Sequence, residues 1–127
     1  MRLQESGEMY LEAILVLSRK QGHVRSIDVS EYLGYSKPSV SRAVGLLKQG
    51  GYVVTDQDGF LQLIESGYEA AHKIFERHNV LSSLLIRMGV SKQTASEDAC
   101  KIEHAISDAT FLAMKNYLDT QIFKEKN

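Results

Sequence analysis

The sequence predicts a mainly α-helical protein with one two-stranded β-ribbon near its middle. Apolar residues recur at helical spacing over nearly the whole chain, and two short helical segments are separated by a glycine-containing turn. Directly after them, "YVVTDQDGFLQLI" alternates in part, is rich in β-formers and is broken by "QDG", a hairpin turn signal. The two short helices have the spacing of a helix-turn-helix, and the ribbon that follows makes it a winged helix-turn-helix.

Each element has its own local warrant. Residues 4–20 place Met9, Ala13, Val16 and Leu17 on one stripe, with Gly22 as a stop. Ser26 is the expected N-cap of "IDVSEYLG", with Ile27, Val29 and Leu33 facing inward and Gly34 ending the helix. "SKPSVSRAVGLLKQGG" opens on Ser36 as cap and carries Pro38 in the first turn, where its missing N–H costs little. Gly50-Gly51 terminates it. The helical pattern returns at Ser66: residues 66–87 read as one long helix, Ser91 caps a helix over 92–105, and residues 107–123 form a last one. The division expected is a winged-helix domain at 1–70 and a helical domain at 71–127.

Composition excludes several classes. The chain has 127 residues, enough for one ordinary domain or two small units. Its 43% apolar content supports a packed interior, and no apolar run approaches the roughly 18 residues of a membrane span. "MRLQESGEMY" lacks the apolar core of a secretion signal. The single cysteine cannot form an internal disulfide, so a cytoplasmic setting is expected. A net charge of -1 means that any nucleic-acid binding must rest on a local patch.

One such patch exists. Between Tyr35 and Gly50 the charged residues are Lys37, Arg42 and Lys48, with no acidic residue among them. Ser36, Ser39 and Ser41 add hydroxyls near the helix N-terminus, whose N–H groups and partial positive charge suit phosphate. Val40, Val44 and Leu47 form the inward stripe, leaving Lys37, Ser41 and Arg42 to face a groove. Arg42 can contact guanine bidentately, whereas Lys37 and the serines position the protein on phosphates. A solvated helix face would explain the basic residues alone; the turn, the cap and the wing favour double-stranded DNA.

A second constellation is "DACKIEHAISD", which holds the only cysteine. On a helix, Cys100, Glu103 and His104 share one face within a turn. Thiolate, carboxylate and imidazole together suit a borderline divalent transition ion rather than magnesium or calcium. His78 on the long helix, and Met9 with Glu12 one turn apart on the first, can complete such a shell. Each also has a plainer role, Cys100 as a small buried hydrophobe and Met9 as core. An enzyme triad fits less well, because no acyl-binding glycine loop or oxyanion hole is evident.

"GEMYLEAI", "SKPSVSRAVGLLKQGGYVV", "ERH" at 76–78 and "DACKIEHAISD" resemble the metal-dependent repressors of the diphtheria toxin repressor and manganese transport regulator (DtxR/MntR) family. The resemblance runs through the whole chain in order, and C-x-x-E-H-x-x-S-D is its most specific element. It implies a helical metal-binding and dimerisation domain behind the winged helix, and a homodimer that binds palindromic operators when metal is present. The family's ligands carry over onto Met9, Glu12, His78, Cys100, Glu103 and His104. Met9 and Cys100 look like the iron-responsive branch and Glu12 like the manganese-responsive one. Ser82 and Ser96 stand where iron-type proteins carry an ancillary glutamate and histidine, and Arg42 stands where a glutamine or lysine is usual. The chain reads as a short form without the SH3-like domain of longer members.

The function expected is a cytoplasmic, homodimeric, metal-dependent transcriptional repressor of metal-ion homeostasis genes. It would answer to Fe(II) or Mn(II), with Zn(II) or Co(II) able to substitute in vitro. Phe111, Met114 and Leu118 are expected at the dimer interface, or else in the core of their own subunit. A metal-independent winged-helix regulator and a small metalloenzyme are the alternatives from other classes.

Overall fold

A computed structural model describes residues 5–126. The expected start of the first helix at residue 4 lies outside the described residues. The chain divides into two compact units, Met1–Lys73 and Ile74–Asn127.

In the first unit, α1 (Glu5–Gln21) carries the largest share of the core. Leu11 and Ile14 are fully buried and Tyr10, Ala13, Leu15 and Leu17 nearly so, while Met9 and Val16 are half-buried. The core stripe therefore centres on Leu11 and Ile14 rather than on Met9 and Val16. Gly22 (φ 85°) ends the helix in the left-handed region, as its position predicts.

Helix α2 (Ser26–Leu33) starts differently from expectation. Its N-cap is Arg25, and the cap hydrogen bond comes from the Asp28 carboxylate, which accepts from the Arg25 N–H at 2.8 Å. Asp28 reaches back from the third helical position, so Ser26 is left as an ordinary first-turn residue. Ile27 is 41% exposed while Val29 is fully buried, because residues two apart fall on nearly opposite sides of a helix. Helix α3 (Lys37–Gln49) matches its sequence signals. Ser36 Oγ accepts from the Ser39 N–H at 3.3 Å, Pro38 lies in the first turn, and Val40, Val44 and Leu47 are buried.

The wing is a pair of antiparallel strands, β1 (Val53–Thr55) and β2 (Leu61–Leu63), in the register Val53–Leu63, Val54–Gln62 and Thr55–Leu61. Asp56 organises its turn by accepting from the Asp58 and Phe60 N–H groups at 2.9 and 3.0 Å. The chain then enters α4 (Glu65–Arg87) against the end of α3. Ser66 Oγ donates to the Gly51 carbonyl at 2.7 Å, and the Ile64 N–H donates to the Tyr52 carbonyl at 3.1 Å. Gly67 is buried against that carbonyl so closely that a Cβ there would stand 2.0 Å from the oxygen.

The second unit holds the rest of α4 from Ile74, α5 (Lys92–Ile102) and α6 (Asp108–Lys126). Ser91 caps α5 as expected, accepting from the Thr94 N–H at 3.3 Å. The helix stops at Ile102, not at 105: the Ala105 N–H turns back to the Ile102 carbonyl at 2.9 Å, and beyond it Arg77 donates to the carbonyls of Glu103 and Ile106. The core joins Val80, Leu84, Phe111 and Leu118, ringed by the half-buried Ile106, Met114 and Ile122. Phe111 and Leu118 therefore serve their own unit rather than an interface. The large apolar side chains that α6 leaves exposed are Leu112, Tyr117 and Phe123. Among the described residues no helix is long and apolar enough to cross a membrane.

Candidate metal centre and nucleic-acid interface

The second unit brings three of the expected ligands together. One ligand atom each from His78, Cys100 and Glu103 lies within 4.8 Å of the others. Elements, not sequence neighbourhood, do this: His78 projects from α4, Cys100 from the last turn of α5, and Glu103 from the residue that caps α5. Cys100 and Glu103 are one helical turn apart, and Glu103 keeps near-helical backbone angles (φ −57°, ψ −26°) although the helix has ended. The shared face predicted from the i, i+3 spacing thus survives the early stop. His104 lies in the turn itself.

The electrostatics centre on Glu103, which is fully buried. Its Oε2 is 2.9 Å from His78 Nδ1. Its Oε1 makes no hydrogen bond among the described residues, the His104 Nε2 standing 3.4 Å away. A carboxylate oxygen sealed from water without a hydrogen bond is costly, and native interiors rarely keep one. A cation beside it would satisfy the group. The donors around it, imidazole, thiolate and carboxylate, are those a borderline first-row ion prefers. The residues present therefore fit a divalent transition metal. On its other side the His78 ring meets Ser96, whose Oγ is 3.4 Å from Nε2.

Met9 and Glu12 belong to the first unit, on α1, and both are half-buried. Tyr35 Oη donates to Met9 Sδ at 3.4 Å, and the Tyr35 ring lies 6.0 Å from that of Tyr10. Burial, then the neighbouring Tyr35 phenol, raises the Tyr10 phenol above its ordinary range.

The expected nucleic-acid face is the outer side of α3. Ser36, Lys37, Pro38, Ser39, Ser41 and Arg42 are all exposed, opposite the buried Val40, Val44 and Leu47. Ser36 Oγ also donates to Ser39 Oγ at 2.9 Å, which ties the hydroxyls to the helix N-terminus. Lys37 and Arg42 project from an acid-free stretch.

Sequence reasoning missed Arg77. It is only 5% exposed, and it follows the buried spacing of Ile74, Leu81 and Leu84 on α4. A basic residue at i+3 from one core residue and i−4 from the next was the available signal.

Comparison with known proteins agrees with this layout. Residues 2–61 match the family described as iron dependent repressor, N-terminal DNA binding domain. Residues 64–122 match iron dependent repressor, metal binding and dimerisation domain. The chain is 30% identical over 126 residues to an uncharacterized HTH-type transcriptional regulator of Methanocaldococcus jannaschii, covering 98% of this chain and 99% of that protein. It is 31% identical over 106 residues to the transcriptional regulator MntR of Escherichia coli O157:H7, covering 84% of this chain and 68% of that one. A solved manganese-dependent transcriptional repressor in complex with manganese superposes with a TM-score of 0.82 at 26% identity, covering 89% of this chain. The match covers 52% of that protein, so this chain spans about half its length.

Proposed function

Because the chain belongs to the iron-dependent repressor family, we propose that it is a metal-dependent transcriptional repressor that binds operator DNA to control metal-ion homeostasis genes. The observation that carries this reading is the buried Glu103 carboxylate, with one oxygen lacking a hydrogen bond, inside the His78–Cys100–Glu103 cluster.

His78, Cys100 and Glu103 hold the ion in this reading, with His104 beside them. Met9 and Glu12 are proposed as ligands on the family pattern alone. When bound, a divalent ion supplies the positive charge that offsets burial of the carboxylate. Fe(II) or Mn(II) is the proposed ion, and the Cys100 thiolate tilts the preference toward Fe(II), with Zn(II) and Co(II) as in vitro substitutes. The M. jannaschii relative carries no metal in its name, whereas the superposed repressor is named for manganese.

The DNA-binding role falls to residues 1–70 and the metal-binding and dimerisation role to 71–127. Ser36, Lys37, Pro38, Ser39 and Ser41 lie where α3 would meet phosphates, and Arg42 lies where it would read a base edge. A cytoplasmic homodimer with half-sites roughly 34 Å apart, or a multiple of that, is the geometry such a helix requires. The exposed Leu112 and Phe123, on one side of α6, are its proposed contact face.

The test is fluorescence anisotropy on a duplex selected from random sequence in the presence of metal. Affinity should fall at least about tenfold in chelator, within the usual range of allosteric coupling, and return with Fe(II) under anaerobic conditions or with Mn(II). Affinity indifferent to chelator would point to metal-independent regulation instead. On the same duplex, Arg42→Ala should cost about 1–3 kcal/mol and relax preference at one position per half-site. Lys37→Ala should reduce the salt slope by about one unit per contact while leaving sequence preference alone. Wild-type behaviour of both variants would reject α3 as the recognition helix.

A further inference from the structure

We propose that Arg77 is the positioning residue of the metal centre: it holds the turn that carries Glu103 and His104 in the conformation that presents them to an ion. This rests on the proposed metal reading and adds to it a residue that touches no metal itself.

A guanidinium is seldom buried without partners, yet Arg77 is 5% exposed; among the described residues its Nε makes no hydrogen bond, and its two Nη groups make the contacts. Its Nη1 donates to the carbonyls of Glu103 and Ile106, at 3.0 and 2.8 Å. Its Nη2 donates to Asp108 Oδ1 at 2.5 Å, and its Cζ lies 5.4 Å from the centre of the Phe111 ring. These contacts span the whole link between α5 and α6, from the α5 cap to the first residue of α6. Within the turn the Ala105 and Ile106 N–H groups fold back on the Ile102 carbonyl, at 2.9 and 3.3 Å, and Arg77 adds the bonds that tie the carbonyls of Glu103 and Ile106 to α4. Arg77 also directly precedes His78, so one turn of α4 delivers both a ligand and the clamp on two others.

The chemistry requires arginine. A planar fork can reach two carbonyls and a carboxylate at once, whereas an ammonium on a flexible stem is a point donor. The Asp108 side chain is 76% exposed, so its ion pair contributes little by itself. The two carbonyl contacts, one buried and one partly buried, carry the positioning, and the first belongs to Glu103, the residue whose carboxylate lies at the cluster's centre.

The experiment uses the full chain with Co(II) alone as probe, following the thiolate-to-cobalt charge-transfer band of Cys100 and the ligand-field bands. Arg77→Lys should bind Co(II) about 10–100-fold more weakly than wild type, the usual cost of losing an outer partner, and with altered band positions. A merely structural role would lower the melting temperature yet leave the spectrum of the folded, loaded protein unchanged. If Arg77→Lys, shown folded by circular dichroism, matches wild type in affinity and spectrum, the proposal is wrong and the metal reading stands. If wild type itself gives no cobalt band, the metal reading fails first. Should Arg77→Lys not fold, Arg77→Gln, which keeps a donor but loses the fork, decides. It should weaken Co(II) binding at least about tenfold with a shifted spectrum, and identity with wild type would overturn the proposal.

Discussion

Glu103→Gln is expected to abolish the response to metal while leaving the metal-free protein folded. The substitution keeps the shape of a fully buried side chain and retains an oxygen for the His78 ring, which sits 2.9 Å from Oε2. What it removes is the negative charge and one anionic donor at the centre of the cluster. Loss of about two orders of magnitude in metal affinity corresponds to about 2.7 kcal/mol. That is also the stabilisation an ion gives when present at about a hundred times its dissociation constant. At that concentration wild type should melt roughly 10 °C higher than without metal, and the variant no more than about 2 °C higher. Differential scanning fluorimetry across a metal titration reads this directly. A variant that keeps the metal-induced rise would remove Glu103 from the ligand set.

The second large effect concerns the fold. Gly67→Ala should destabilise the protein by about 3 kcal/mol or more, at the upper end of what overpacking costs. Alanine is the better helix former by about 1 kcal/mol, so propensity alone would predict the opposite sign. Sterics decide, because the new Cβ would fall 2.0 Å from the Tyr52 carbonyl oxygen and 2.9 Å from its carbon. Backbone cannot yield as a flexible side chain can, and that same carbonyl accepts from the Ile64 N–H. Gly45→Ala is the matched comparison. It lies inside α3 with nothing within 4 Å of its would-be Cβ, and should stabilise by about 0.5–1 kcal/mol. Urea unfolding of the two variants, side by side, separates propensity from contact; shifts of the same sign would refute the steric account.

The elements legible in the sequence are those whose causes are local. Ser36, Pro38 and the Gly50-Gly51 stop lie within a few residues of the helix ends they define, and α3 forms as they dictate. The wing followed from alternation and a turn signal. Where a distant partner decides, reading failed. Gly67 gave no sign because its reason is Tyr52. Helix α5 ends early where the Ala105 N–H turns back to the Ile102 carbonyl, and Arg77, on another helix, holds the Glu103 and Ile106 carbonyls that follow. Ile27 was placed inward with Val29 although residues two apart cannot share a helix face, and it is exposed; the Ser26 cap gave way to a carboxylate at the third position. The metal cluster was half legible. The i, i+3 pair of Cys100 and Glu103 is arithmetic, whereas His78 was a candidate by residue type, to which the resemblance added, and meets them only through packing.

The cluster's sulfur is the only one of its kind in the chain, and Cys100 is exposed. An alkylating reagent can therefore add one label per polypeptide, at the very group assigned to hold the ion. Labelling speed follows thiolate content and access, so a sulfur engaged by metal should react in proportion to the fraction left unloaded. Quenched time points weighed by mass spectrometry would then count loaded and empty chains one by one. The count needs neither DNA nor a coloured ion, and it can be taken in a crude extract, where the metal that the cell itself supplies is still in place.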